Sequence, residues 1–92
     1  MSEYIEINTE ESDDDETLFV YTNLQLTDGT AETYATRSDL AVGSPLAQAL
    51  WAVEGLRYLQ MENGEMVVRR EQEAEWHALV DDITAVLKDF FL

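Results

Sequence analysis

The chain has no cysteine, one proline, one histidine and one lysine in 92 residues. Without cysteine there is no disulfide framework, no thiol nucleophile and no metal or cluster held by the chain's own thiolates. A lone histidine, His77, lacks the convergent partners that acid–base or metal chemistry needs. The four glycines stand apart, so no loop is built to cradle phosphate. No apolar run approaches the roughly 20 residues of a membrane-spanning helix. The opening MSEYIEINTEE has no basic stretch ahead of an apolar one. It does not read as a secretory signal, and the expected location is the cytoplasm.

Basic residues are scarce too. Five stand against twenty acids, giving a formal net charge of −15. Such a field repels DNA, RNA and anionic lipid, which disfavours nucleic-acid and membrane partners. Three readings of the excess stay open: adaptation of a whole proteome to a salt-rich interior, a partner with a basic surface, or solubility alone. At 46% hydrophobic and 10% aromatic, the chain has apolar mass for one core, and residues 1–92 are expected to form one domain.

Alternation in YIEIN (Tyr4 to Asn8) predicts a short strand with Ile5 and Ile7 on one face. The acidic stretch 9–16 follows, and its crowded like charges predict an open loop. TLFVYTNLQL (Thr17 to Leu26) is rich in β-branched and aromatic residues and predicts a second strand. Asp28-Gly29 signals a turn, after which TAETYATRS (Thr30 to Ser38) is expected to pair back on that strand.

The grammar is clearest in GSPLAQALWAVEGLRYLQMENGEMVVRRE (Gly43 to Glu71). Ser44 suits an N-cap, Pro45 the first helical position, and Leu46, Leu50 and Val53 one helical stripe. Gly55 reads as the helix terminator. Asn63-Gly64 between two strand-like runs signals a hairpin. With those two residues as the loop, Met61 faces Met66 and Leu59 faces Val68 on the inner side, with Arg57 and Arg70 near the open end. Tyr58, Gln60, Glu62, Glu65, Val67 and Arg69 fall on the outer side. From Glu71 to Phe91 the spacing of Trp76, Leu79, Val80, Ile83, Leu87 and Phe90 predicts a long helix. Its expected first turn holds Glu71, Glu73 and Glu75, where the helix dipole favours acids, with Lys88 at the opposite pole. The expected class is α+β: a two-layer sandwich with a mostly antiparallel sheet of four to five strands and two helices on one face.

Candidate chemistry is sparse. The carboxylates of Glu10 to Asp15 are hard-cation donors, but the loop lacks the glycine and distal glutamate of an EF-hand, so a solvated loop is the expectation. Asp81 and Asp82 are adjacent on a helix and point about 100° apart. Ser44 has no nucleophile-elbow context and reads as a cap. Trp51 and Trp76 are expected in the core or between layers. The outer side of the hairpin, with Tyr58, Val67, Arg69 and Arg70, is the candidate partner surface, since tyrosine and arginine are favoured at interfaces. The acids Asp13, Asp14 and Asp15 are the candidate contact for a basic partner. Against that stands the plainer expectation that Arg57, Arg69 and Arg70 simply neutralise neighbouring glutamates.

Several of these motifs together resemble the N-terminal domain of Nfu-type iron–sulfur scaffold proteins. They are Ser44-Pro45-Leu46, Val53-Glu54-Gly55, the Leu56–Glu71 hairpin, Glu75-Trp76 with Leu79, and Asp89-Phe90-Phe91. Gly29-Thr30-Ala31-Glu32 is similar to a turn of that family. Where the family's first loop carries Pro-Asn-Pro, this chain has SDDDE. The resemblance implies the fold and an association with iron–sulfur cluster assembly. It does not imply cluster binding, which in full-length members uses a CxxC in a second domain. A stand-alone, non-enzymatic interaction module without a cofactor is therefore expected, its partner an assembly factor or client protein. An acidic inhibitor or nucleic-acid mimic on a basic protein surface is the alternative.

Overall fold

The structure, a computed structural model, describes residues 5–91; Tyr4, the expected start of the first strand, lies outside them. The elements run β1 (Ile7–Glu11), β2 (Thr17–Thr22), β3 (Glu32–Tyr34), α1 (Arg37–Ala41), α2 (Pro45–Leu50), β4 (Leu56–Glu62), β5 (Glu65–Arg70) and α3 (Trp76–Phe91). The strands form one antiparallel sheet in the order β1-β2-β5-β4-β3. One face of the sheet packs against the helices, giving the expected α+β class.

The hairpin pairs as the Asn-Gly loop requires. Met61 lies opposite Met66 and Leu59 opposite Val68, and all four are fully buried. Leu18 and Val20 of β2 continue this inner face, and Leu79, Ile83 and Leu87 of α3 close over it together with Leu46 and Leu50 of α2. A register shift between Leu56 and Tyr58 leaves Arg57 exposed at the hairpin's open end. Arg57 therefore does not share the inner side with Arg70; such a bulge turns the extra residue out of the ladder.

Several local expectations are corrected. Residues 30–38 do not return to β2. Only Glu32–Tyr34 are strand, and they pair with β4 at the far edge, because the free side of β2 is occupied by β5. The connection crosses beneath the β4–β5 turn, where Oδ1 of Asn63 accepts from the Thr27 backbone N–H (2.9 Å) and hydroxyl (3.1 Å). Leu26 and Thr27 are buried there rather than in a strand, which ends at Thr22. Arg37 to Ala41 then form a short helix capped by Thr36, whose hydroxyl accepts from the Asp39 N–H.

The second helix stops at Leu50, well short of Gly55. The next residues tighten into i→i+3 bonds (Ala52 to Ala49, Val53 to Leu50), so Val53 stays buried without a further α-turn. Arg37 holds this tail, its guanidinium donating to the carbonyls of Trp51, Val53 and Leu56. Trp51 is consequently 48% exposed, with Arg37 over its ring at 5.9 Å, and is not core. At the third helix, Glu71, Glu73 and Glu75 precede Trp76, and no acid lies in the first turn. The chain must turn between β5 and α3, and the Arg70 guanidinium fixes that turn by donating to the Ala74 carbonyl. Phe90 is 44% exposed although it continues the stripe, and it lines a surface hollow together with Ala49 of α2 and Val86.

Candidate functional site

Strand alternation sends every second side chain away from the helices. With Leu18, Val20, Met66 and Val68 inward, the outward positions are Thr17, Phe19 and Tyr21 of β2, Glu65, Val67 and Arg69 of β5, and Tyr58, Gln60 and Glu62 of β4. Phe19 lies opposite Val67, which lies opposite Gln60; Arg69 lies opposite Tyr58 with its guanidinium 5.6 Å from the ring centroid. These residues line a shallow open depression of about 450 Å³, bounded at one end by Ser12 and Asp14.

The predicted residues Tyr58, Val67 and Arg69 thus meet on one surface. Arg70 does not join them: it is half-buried on the helix side, donating to the carbonyls of Asp15 (3.0 Å) and Ala74 and lying 5.3 Å from the Trp76 ring centroid. Asp14 lines the depression, Asp13 is exposed, and the Asp15 carboxylate faces Arg70 at 3.9 Å. Phe19 was not singled out as a surface residue. Its signal was the alternation in TLFVYT, masked because both parities there are apolar.

The acidic stretch is an ordered hairpin turn, not an open loop. Thr9 to Glu11 belong to β1, and the Ser12 N–H donates to the Thr17 carbonyl at 3.0 Å. The Asp14 carboxylate accepts from the Ser12 hydroxyl, the Glu16 and Thr17 N–H groups and the Thr17 hydroxyl. Those bonds, the Ser12 hydroxyl first, lower its pKa from 3.8 to about 2. Its lone pairs are committed to the turn rather than to a cation. The Asp15 carbonyl accepts from Arg70 Nε and Trp76 Nε1, tying the turn to β5 and α3. Local donors outweigh the repulsion that charge counting alone weighs.

His77 is exposed, with Nδ1 3.5 Å from the Glu75 carboxylate, and Asp81 and Asp82 are exposed on α3. Ser44 caps α2, its hydroxyl accepting from the Ala47 N–H at 3.3 Å. Among the described residues no group of three or more His, Asp or Glu is placed to hold a metal ion. No described helix is long and apolar enough to cross a membrane. What the geometry offers is a surface.

Among solved structures, the fold is similar to a NifU-like protein from Saccharomyces cerevisiae, with TM-score 0.73, 18% identity, and coverage of 92% of this chain and 76% of that one. It is also similar to a protein from Staphylococcus aureus, with TM-score 0.67, 21% identity, and coverage of 88% and 96%. At such identities the likeness is one of fold. Among curated proteins, the chain is 39% identical over 51 residues to "NFU1 iron-sulfur cluster scaffold homolog, mitochondrial" of Drosophila ananassae. It is 38% identical over 48 residues to its namesake in Drosophila persimilis. Those matches take in 55% and 52% of this chain but only 18% and 17% of the fly proteins, so the chain spans less than a fifth of their length. The profile of one family, "Scaffold protein Nfu/NifU N terminal", matches residues 7–92. By that near-complete match, the chain belongs to the Nfu/NifU scaffold family as its N-terminal domain.

Proposed function

We propose that this chain is a protein-interaction module of iron–sulfur cluster assembly or delivery, working by contact and neither catalysing a reaction nor ligating a cluster. The observation that carries this reading is the face of the sheet turned away from the helices, where Phe19, Tyr58 and Val67 remain half-buried in a depression that no helix lines among the described residues. Half-exposed aromatic and apolar side chains beside an arginine are the composition of a protein interface. Family membership and the names of the fly relatives supply the iron–sulfur context. The 92 residues contain no cysteine, which argues for handling a cluster carrier rather than the cluster.

The test is affinity purification of the tagged chain from native lysate, beside a Val67→Asp variant. A cluster-assembly protein or an iron–sulfur client retained by the first and lost by the second is the expected result. Recovery of neither class of protein, or equal recovery by both variants, refutes the reading. A second reading rests on the charge of −15: an acidic mimic that fills a basic cleft of another protein. Binding by that route weakens steeply with salt, whereas apolar contact at the open face persists.

A further inference from the structure

The open face has an order of charge that specifies its occupant, a step that rests on the docking role proposed above. Along β5 the outward positions are Arg69, Val67 and Glu65: a cation, an apolar side chain and an anion, about 7 Å apart at each step. The Arg69 guanidinium already lies against Tyr58. At the other end Glu65 stands directly opposite Glu62, both exposed, with Tyr21 opposite Glu65 on β2. Like charges directly opposed across a ladder destabilise it. Among the described residues, the ion pairs join Arg57 to Glu16 and Arg70 to Asp15, and His77 lies beside Glu75, leaving Glu62 and Glu65 without a basic partner.

We infer that this face binds a segment of another protein in which a lysine or arginine lies two residues from a large apolar side chain in extended conformation. The apolar side chain fills the depression between Phe19, Tyr58 and Val67. The cation sits between Glu62 and Glu65 and against the Tyr21 ring, relieving their repulsion and gaining a cation–π contact. Arg69 opposes a cation at the other end, so the order of the two side chains is fixed relative to the strands. Because outward neighbours on a strand are about 7 Å apart, the spacing matches alternate residues of an extended peptide.

The probe is the blocked peptide Thr-Phe-Thr-Lys-Thr, titrated into the isotope-labelled 92-residue chain with amide shifts followed by NMR. Shifts concentrated at Phe19, Tyr21, Glu62, Glu65 and Val67 are expected. Affinity is expected to fall about tenfold when the peptide's Phe becomes Ala, when its Lys becomes Glu, or in the Glu62→Gln/Glu65→Gln chain. The double variant removes a repulsion, so its melting temperature should not fall, which separates lost binding from lost folding. Glu73→Gln/Glu75→Gln, in the acidic turn before α3, should leave affinity unchanged. Shifts spread over all acidic surfaces, equal loss in both double variants, or no shift at millimolar peptide would overturn this occupant. The lysate experiment with Val67→Asp is independent of these outcomes, so the docking role can survive when its chemistry here fails.

Discussion

Neighbouring valines of β5 provide a direct test of the two-faced sheet. Val68 is fully buried against the helices, whereas Val67 is half-buried on the open side. Alanine removes two methyl groups from each, about 0.8 kcal/mol apiece in transfer free energy, or about 1.6 kcal/mol for complete burial. At Val68 the hole left in a closed core adds to that, giving roughly 2–3 kcal/mol. At Val67 about half the transfer applies and solvent fills the space, giving roughly 1 kcal/mol or less. The β-propensity lost is common to both positions and cancels in the comparison. For a domain of this size each kcal/mol moves the melting temperature by about 4–8 °C, so Val68→Ala should melt roughly 8–24 °C lower and Val67→Ala within about 8 °C of wild type. Urea unfolding followed by tryptophan fluorescence provides the free energies, with an unchanged slope confirming a common transition. Equal losses at the two positions would refute the assignment, since a slip of one residue in the ladder exchanges the faces of the strand.

The depressed pKa of Asp14 sets a second test. The folded value, about 2, lies below the ordinary 3.8, so the carboxylate's contribution is complete above about pH 4 and fades as pH falls toward 2. Wild type should therefore be more stable than Asp14→Asn near neutrality, and the gap in urea midpoints should close between about pH 4 and pH 2; a constant gap would show that the carboxylate's charge is irrelevant to the turn. Arg37→Met keeps the aliphatic stem but strips the donors from three carbonyls, so a loss of roughly 2 kcal/mol in urea is expected, and a loss within error would remove Arg37 as the clamp on the α2 tail. Raising salt from about 0.01 M to about 1 M shortens the screening length from about 30 Å to about 3 Å and should raise the melting temperature of a chain carrying −15 charges; an unmoved transition would mean that the acids are spaced beyond mutual repulsion.

Legibility in the sequence followed the range of the interaction that decides each element. Where the deciding contacts are a few residues apart, reading and structure coincide: the Ser44 cap with Pro45, the Asn63-Gly64 loop, and the pairing of Met61 with Met66. Where a distant group decides, they part. Arg37 lies fourteen residues from the Trp51 carbonyl it holds, and no local rule stops α2 at Leu50. Arg70 and Trp76 reach 55 and 61 residues back to Asp15, so the acidic turn is tethered by partners that a charge count along the chain does not weigh. The place of β3 was equally hidden, because strand order depends on β5 having already taken the inner side of β2.

The candidate site shows both regimes at once. Tyr58, Val67 and Arg69 follow from the hairpin register alone, since one parity of β4 and β5 is strongly apolar and the other is mixed. Phe19 does not, because in Leu18, Phe19, Val20 and Tyr21 both parities are apolar, and only the position of α3 decides which pair is covered. That ambiguity has a functional edge. A strand meant only to cover a core has no need of Phe19 and Tyr21 on its solvent side, where apolar area remains hydrated in the free chain and its burial is available only to a partner. The apolar excess that blurs the strand's inner and outer faces in the sequence is therefore the same excess on which the proposed docking role rests.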